Sequence, residues 1–189
     1  MEATEFSRLL SDWAGGDQDA GDRLYASAYD ELKTVASRSL HAYGRGDQLS
    51  TTLLVNECYL KLASSGAVTS ETRQHFLALC ARAMRQIIVD SARRQLADKR
   101  GAGGPALSLE DLGAEPGASL ALGPEALTAL DQALSDLDRR DPRLARIAEC
   151  RIFSGMECAE IAATFGVTER TVQREWLRVK ALLLLVIEG

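Results

Sequence analysis

The side chains best suited to binding chemistry lie near the C-terminal end of the sequence, in the segment ERTVQREWLRVK at residues 169–180. Arginine can form paired hydrogen bonds with guanine, and glutamine can do so with adenine. Arginine also neutralises backbone phosphates. If the segment is helical, its exposed face offers five candidates for contact with DNA: Arg170, Thr171, Gln173, Arg174 and Arg178.

The residues around this segment have the spacing of a helix-turn-helix. Ala162 is small enough to let two helices cross closely, Gly166 tolerates the positive φ of a turn, and Val172 would fill the crossing. Thr168 is a suitable cap for the second helix, whose first turns would enter the major groove. The other members of this small core are expected to be Ile161, Phe165, Val167 and Leu177. The pattern predicts a DNA-binding module; the alternative is an ordinary helical hairpin with solvated arginines.

A second basic region precedes this module. Residues 72–100 contain seven Lys or Arg and two Asp or Glu, whereas residues 1–71 contain six Lys or Arg and eleven Asp or Glu. The whole chain carries a formal charge of −5, so the basic stripe is set in an acidic protein. That distribution suits a protein that meets DNA on one face and a protein partner on another.

Other classes of function are disfavoured. The sequence has no P-loop, dinucleotide-binding, nucleophile-elbow or zinc-protease motif, so we do not expect an enzyme. No apolar run is long enough for a membrane span, and the N-terminus lacks the basic start and apolar core of a signal peptide. We therefore expect a cytoplasmic protein. We expect no cofactor or metal either, and interpret four cysteines without a CxxC pair as apolar, mostly buried thiols: Cys58, Cys80, Cys150 and Cys158.

Helices are expected to position all these residues, because Leu and Ala dominate and β-branched runs are few, which predicts an all-α fold. Gly, Pro and Ser are concentrated in residues 101–123, which predicts a flexible linker between an N-terminal helical module (1–100) and a C-terminal helix-turn-helix module (124–189). Periodicity and capping residues predict helices at about 2–14, 18–41, 50–65, 70–99, 124–137, 142–153, 157–164 and 168–187.

Two finer expectations concern individual faces and caps. The buried face of the fourth helix is expected to consist of Phe76, Leu79, Cys80, Ala83, Ile87 and Ser91. The arginines of that helix are therefore expected to point away from this face. Ser154 and Glu157 have the S-x-x-E spacing of a capping box.

The order of these segments resembles that of extracytoplasmic-function (ECF) sigma factors, which direct bacterial RNA polymerase to promoters. The segment HFLALCARAMRQIIVDSARRQLADKRG (residues 75–101) is similar to the part of that family that reads the −10 element. The segment LLVNECYLKLASSG (53–66) is similar to the part that docks on the polymerase β′ clamp helices, and the helix-turn-helix resembles the −35-reading module. The resemblance covers nearly the whole chain and implies a sigma region 2-like four-helix module followed by a region 4-like module.

The resemblance implies roles for individual residues and partners. Polymerase docking would use Leu53, Asn56, Glu57, Tyr59 and Leu60. The −10 strand would be held by the loop at 66–74 and the following helix, through Arg73, Gln74, Arg82, Arg85, Arg93 and Arg94, although each arginine alone could be a solvated surface charge. The expected partners are core RNA polymerase (β′ clamp helices and β flap), promoter DNA, and a Ser/Thr kinase or an anti-sigma factor.

Two departures from the family pattern stand out. Asn56 occupies a position where an Asp is usual, which leaves Glu57 as the single acid near a basic clamp surface. His75 and Phe76 replace the usual aromatic opening of the −10 helix.

The first departure suggests control by phosphorylation at the start of the docking helix. A phosphate on Thr51 or Thr52 would add about −2 charge where a helix N-terminus favours it. Some sigma factors are switched on by a Ser/Thr kinase rather than released by an anti-sigma factor. We therefore expect phosphorylation at Thr51 or Thr52 to strengthen polymerase binding; the alternative is that Ser50, Thr51 and Thr52 only cap the helix.

Two non-enzymatic alternatives compete with a sigma factor. A conventional helix-turn-helix repressor or activator would bind a palindrome as a dimer and would not need core polymerase. An adaptor or anti-sigma protein is the other. The basic fourth helix favours a sigma factor, because that helix adds a second DNA-binding element to the chain.

Overall fold

The computed structural model describes residues 2–42, 49–65, 72–98 and 123–188, and these residues are arranged in helices without any strand. The predicted linker, apart from Gly123, and most of the predicted −10 loop at 66–74 lie outside the described residues. The all-α prediction is confirmed. The helices are α1 (Ala3–Ala14), α2 (Gln18–Ala42), α3 (Thr51–Ser65), α4 (Arg73–Asp98), α5 (Pro124–Arg140), α6 (Pro142–Ile152), α7 (Cys158–Phe165) and α8 (Glu169–Glu188).

Side-chain caps fix where several of these helices begin. Of the three candidates before α3, Ser50 is the cap, since its Oγ accepts a hydrogen bond of 3.1 Å from the Leu53 N–H. Thr72 caps α4 in the same way, with 3.2 Å between its Oγ1 and the His75 nitrogen. Thr51 is therefore the first residue of α3, and its side chain is not needed for capping.

The predicted capping box at Ser154 and Glu157 is wrong. Gly155 has φ +60°, in the left-handed region, so the chain is not helical there. The Ser154 hydroxyl is buried and has no hydrogen-bond partner among the described residues. Instead, α7 begins after Glu157, whose N–H donates to a Glu160 carboxylate oxygen at 2.7 Å.

The hydrophobic core continues from the N-terminal helices into the C-terminal helices through α4. Phe76, Cys80, Ala83 and Ser91 are buried as predicted, and Leu79 and Ile87 are partly buried. The opposite side of α4 is also covered, because α5 and α6 pack on it. Further residues of the helix are buried as well, namely Met84, Arg85, Ile88 and Ala92, and Arg85 among them contacts both C-terminal helices.

The cysteines are free thiols. Cys58, Cys80 and Cys150 are buried and Cys158 is partly buried. Burial raises the pKa of Cys150 to about 12 and that of Cys80 well above its usual range, so both stay protonated near neutral pH. Within the described ranges, no helix has the length and apolar character needed to span a membrane.

Candidate nucleic-acid and polymerase interfaces

The helix-turn-helix is formed by α7, the turn at Gly166 and α8. Gly166 has φ +63°, Ala162 is buried, and Val172 is completely buried at the crossing, as the spacing predicts. Thr168 Oγ1 caps α8 by accepting from the Thr171 N–H at 3.2 Å. Residues of α6 and of the following turn complete the small core, which contains Ile147, Cys150, Met156, Ile161, Ala162 and Val172, with Phe165 and Val167 packed against it.

Leu177 does not belong to that core, contrary to the prediction, since it is 63% exposed. Val172 and Val179 define the buried side of α8. At about 100° per residue, Leu177 lies roughly 140° around the helix from Val172 and therefore faces outward.

An arginine stripe, defined as Arg170, Arg174 and Arg178, runs along the exposed side of α8. These residues are four apart, so they lie on one helical face. In the part of the chain that the structure describes, none of the ion pairs involves this stripe. Gln173 is exposed and donates to Glu169 at 3.1 Å, whereas Thr171 is half-buried beside its cap.

The outer side of α3 forms a ridge of four predicted docking residues. Leu53 is 40% and Leu60 59% exposed, and Asn56 and Glu57 between them are also exposed. Their spacing, i, i+3, i+4 and i+7, places all four on one face of the helix. We call these four residues the α3 ridge.

Tyr59, the fifth predicted docking residue, is partly buried and packs against the neighbouring helices. Its hydroxyl donates to the Asp22 carboxylate of α2, and its ring stacks on Trp13 with 6.1 Å between centroids. The hydrogen bond to Asp22, followed by burial, raises the pKa of Tyr59 to about 12. Tyr59 thus ties α3 to α1 and α2, which positions the ridge.

Three of the six residues predicted to contact the −10 element lie near the ends of α4. One of them binds a carboxylate of another N-terminal helix, and the other two are exposed. Arg73 donates to Glu31 at 2.8 Å and lies 4.8 Å from the centre of the Phe6 ring. Gln74 and Arg94 are exposed, and Arg94 donates to the backbone carbonyl of Asp90.

The other three contact carboxylates of the C-terminal helices. Arg82 lies 3.2 Å from Asp138, and Arg93 lies 3.0 Å from Asp131. Arg85 is only 6% exposed and is paired with Asp131, at 2.6 Å, and with Glu149.

Burial raises the pKa of Glu149, and the charge of Arg85 opposes that rise. No local sequence pattern points to the acids that bind these arginines, because they lie far along the chain, beyond the predicted linker: Asp131, Asp138 and Glu149.

The family model described as ECF sigma factor matches residues 3–184. The chain belongs to the ECF sigma factor family. Comparison with curated proteins and with solved structures gave no significant match. Membership indicates a role in transcription initiation through RNA polymerase and promoter DNA, and it favours a sigma factor over a conventional repressor or activator.

In this ECF sigma factor, the two threonines predicted as phosphorylation sites border a polar cleft between α2 and the start of α3. Thr51 is half-buried and Thr52 is exposed. The same cleft is lined from α2 by Lys33, Ser37 and Arg38. Two cationic side chains, Lys33 and Arg38, therefore line the same cleft as the two threonines.

Proposed function

We propose that this ECF sigma factor docks on the β′ clamp helices of core RNA polymerase through the α3 ridge. The observation that carries this proposal is that Leu53 and Leu60 are exposed on either side of Asn56 and Glu57, on a helix whose other side is buried in the core. Apolar side chains surrounded by polar ones are typical of a protein-binding surface. Core polymerase operates in the cytoplasm, so that is where the protein would act.

In this proposal, each module binds one promoter element. The N-terminal module (1–100) places α4 on the −10 element, and the C-terminal module (124–189) places α8 on the −35 element while it contacts the β flap. The arginine stripe of α8 supports the second assignment, because exposed arginines on the recognition helix suit phosphate and guanine contacts. The intervening linker (101–123) would allow the modules to reach separate sites.

The direct experiment is to measure binding of the purified chain to core RNA polymerase and then to select the genomic fragments that the mixture transcribes. We expect a complex that initiates at a defined set of promoters. Replacement of Arg174 by Ala should weaken that selection more than it weakens polymerase binding. The proposal would be contradicted if the chain does not bind core polymerase but binds palindromic DNA by itself in a gel-shift assay.

We further propose that phosphorylation of Thr51 or Thr52 by a Ser/Thr kinase strengthens polymerase docking. Asn56 leaves the α3 ridge with one acid, Glu57, so added negative charge at the start of α3 would improve its fit to a basic clamp. Lys33 and Arg38 in the adjoining cleft are the groups that would hold the phosphate.

The test compares Thr51→Glu with Thr51→Ala, and Thr52→Glu with Thr52→Ala, in binding to core polymerase. An exposed ion pair with a basic clamp residue is worth about 0.2–1 kcal/mol, so we expect the Glu variants to bind roughly 1.5-fold to fivefold more tightly. Ser64→Glu is the matched control, because Ser64 is exposed near the opposite end of α3. Equal affinities of the Glu and Ala variants at both positions would refute control by phosphorylation.

A further inference from the structure

We propose that the unbound sigma factor is autoinhibited by its own C-terminal helices. In this closed state, α5 and α6 cover one side of α4 and bind three of its arginines with carboxylates. The inference rests on the proposed function, since it assumes that these arginines are needed at the −10 element. It adds a specific device that keeps them from DNA until the modules separate.

The charges at the contact carry the inference. Arg85 is buried between Asp131 and Glu149, and Asp131 also binds Arg93. A guanidinium group that donates hydrogen bonds to phosphate donates to a carboxylate in the same geometry. These acids therefore occupy the groups that would contact the DNA backbone, and Arg85 cannot reach DNA while it is enclosed.

The closed state is also held at the far end of α2. Ser39 Oγ donates to the Phe153 carbonyl at 2.6 Å, and Arg38 donates to the Ser154 carbonyl at 3.3 Å. Arg38 is the same residue that lines the cleft beside Thr51. A phosphate on Thr51 would compete for the Arg38 guanidinium with that uncharged carbonyl, which would weaken one contact of the closed state.

The distance between promoter elements gives an independent reason for opening. The −10 and −35 elements are roughly 25 base pairs apart, which at 3.4 Å per base pair is about 85 Å. A compact chain of this length has a radius of gyration of about 16 Å, hence a diameter of only about 40 Å. The closed state therefore cannot contact both elements, and the modules must part when the complex with polymerase and promoter forms.

The experiment measures the radius of gyration by small-angle X-ray scattering and the affinity for core polymerase in three full-length variants. Asp131→Asn weakens the pairing of Arg85 and Arg93, and Asp138→Asn weakens that of Arg82 at a more exposed position where folding is less at risk. Asp136→Asn is the matched control, because Asp136 binds Arg139 of its own helix at 2.5 Å.

If the inference is right, Asp131→Asn raises the radius of gyration and binds core polymerase about tenfold more tightly, since only the open chain can contact the clamp helices and the β flap at the same time. Asp138→Asn has a smaller effect in the same direction, and Asp136→Asn has none. An Asp131→Asn chain that opens and binds no more tightly than wild type overturns autoinhibition.

Autoinhibition is also overturned if Asp131→Asn and Asp138→Asn both stay as compact as wild type and bind core polymerase as tightly as wild type does. If opened variants and wild type all fail to bind core polymerase, the proposed docking function itself is wrong. The scattering data then still decide whether a closed state exists.

Discussion

Removing the two exposed leucines of the α3 ridge should weaken polymerase docking, at a modest cost in stability that leaves the chain folded. The perturbation is the double variant Leu53→Ala, Leu60→Ala. The covered parts of the two side chains already contribute about 2 kcal/mol to folding in total, so the free energy of unfolding should fall by up to that amount, partly offset because Ala is the stronger helix former. A urea titration of the variant shows that the chain is still folded where binding is measured, so that any loss of affinity reports contacts made by the ridge itself.

The size of the effect follows from the exposed fractions. Full burial of a Leu side chain is worth about 2 kcal/mol. Leu60 is 59% exposed and Leu53 40% exposed, which leaves about 1.2 and about 0.8 kcal/mol to be gained if a partner covers them. The double variant should thus lose up to about 2 kcal/mol, or roughly 30-fold in Kd.

A purified fragment of the β′ clamp helices is the appropriate ligand for the full-length chain in this assay, because it isolates the docking contact from the β flap. Leu182→Ala is the matched control, since Leu182 is 41% exposed but lies on α8. We expect the control to bind like wild type. If the double variant loses less than threefold in affinity, or the control loses as much, the ridge is not the docking surface.

Two further predictions concern the packing that positions these surfaces. Gly155→Ala should destabilise the protein more than Gly166→Ala. Both positions have φ near +60°, so either substitution costs about 1–2 kcal/mol, but only at Gly155 would the new Cβ also lie 2.9 Å from Arg38 Cδ. Equal shifts of the two variants in urea midpoint would contradict the assigned Arg38 contact. Tyr59 has a folded pKa of about 12, above the ordinary value of 10, so its contribution to stability should be complete below pH 10 and be lost as pH rises towards 12. Tyr59→Phe should remove that part of the pH dependence in urea titrations, and an unchanged alkaline profile would show that the bond to Asp22 does not cause it.

Local sequence signals predicted most of the elements because they depend on neighbours in the chain. Ala162, Gly166 and Val172 define the helix-turn-helix by spacing alone, and each has the burial or backbone angle that the spacing requires. The predicted helices match the observed ones within a few residues at each end. The error at Ser154 arose because a motif does not show that the next residue, Gly155, adopts a left-handed conformation.

Side-chain environments were less predictable wherever a second element contributes to them. Tyr59 follows Leu53 by six residues and so lies about 120° around α3 from it, off the ridge; its hydroxyl bonds to Asp22 and its ring packs on Trp13, which lie on two other helices. Sequence periodicity describes the direction of a side chain on its own helix and carries no information on what lies opposite.

The sequence by itself thus determined that this protein is helical, where its helices lie to within a few residues, and which segments resemble the parts of a sigma factor. Only the tertiary structure decided what happens to the arginines of α4. Arg85 is 46 residues from Asp131 and 64 from Glu149, so no local pattern relates them. Their pairing arises because apolar packing of α5 and α6 on α4 buries a guanidinium, and a buried charge requires carboxylates of its own.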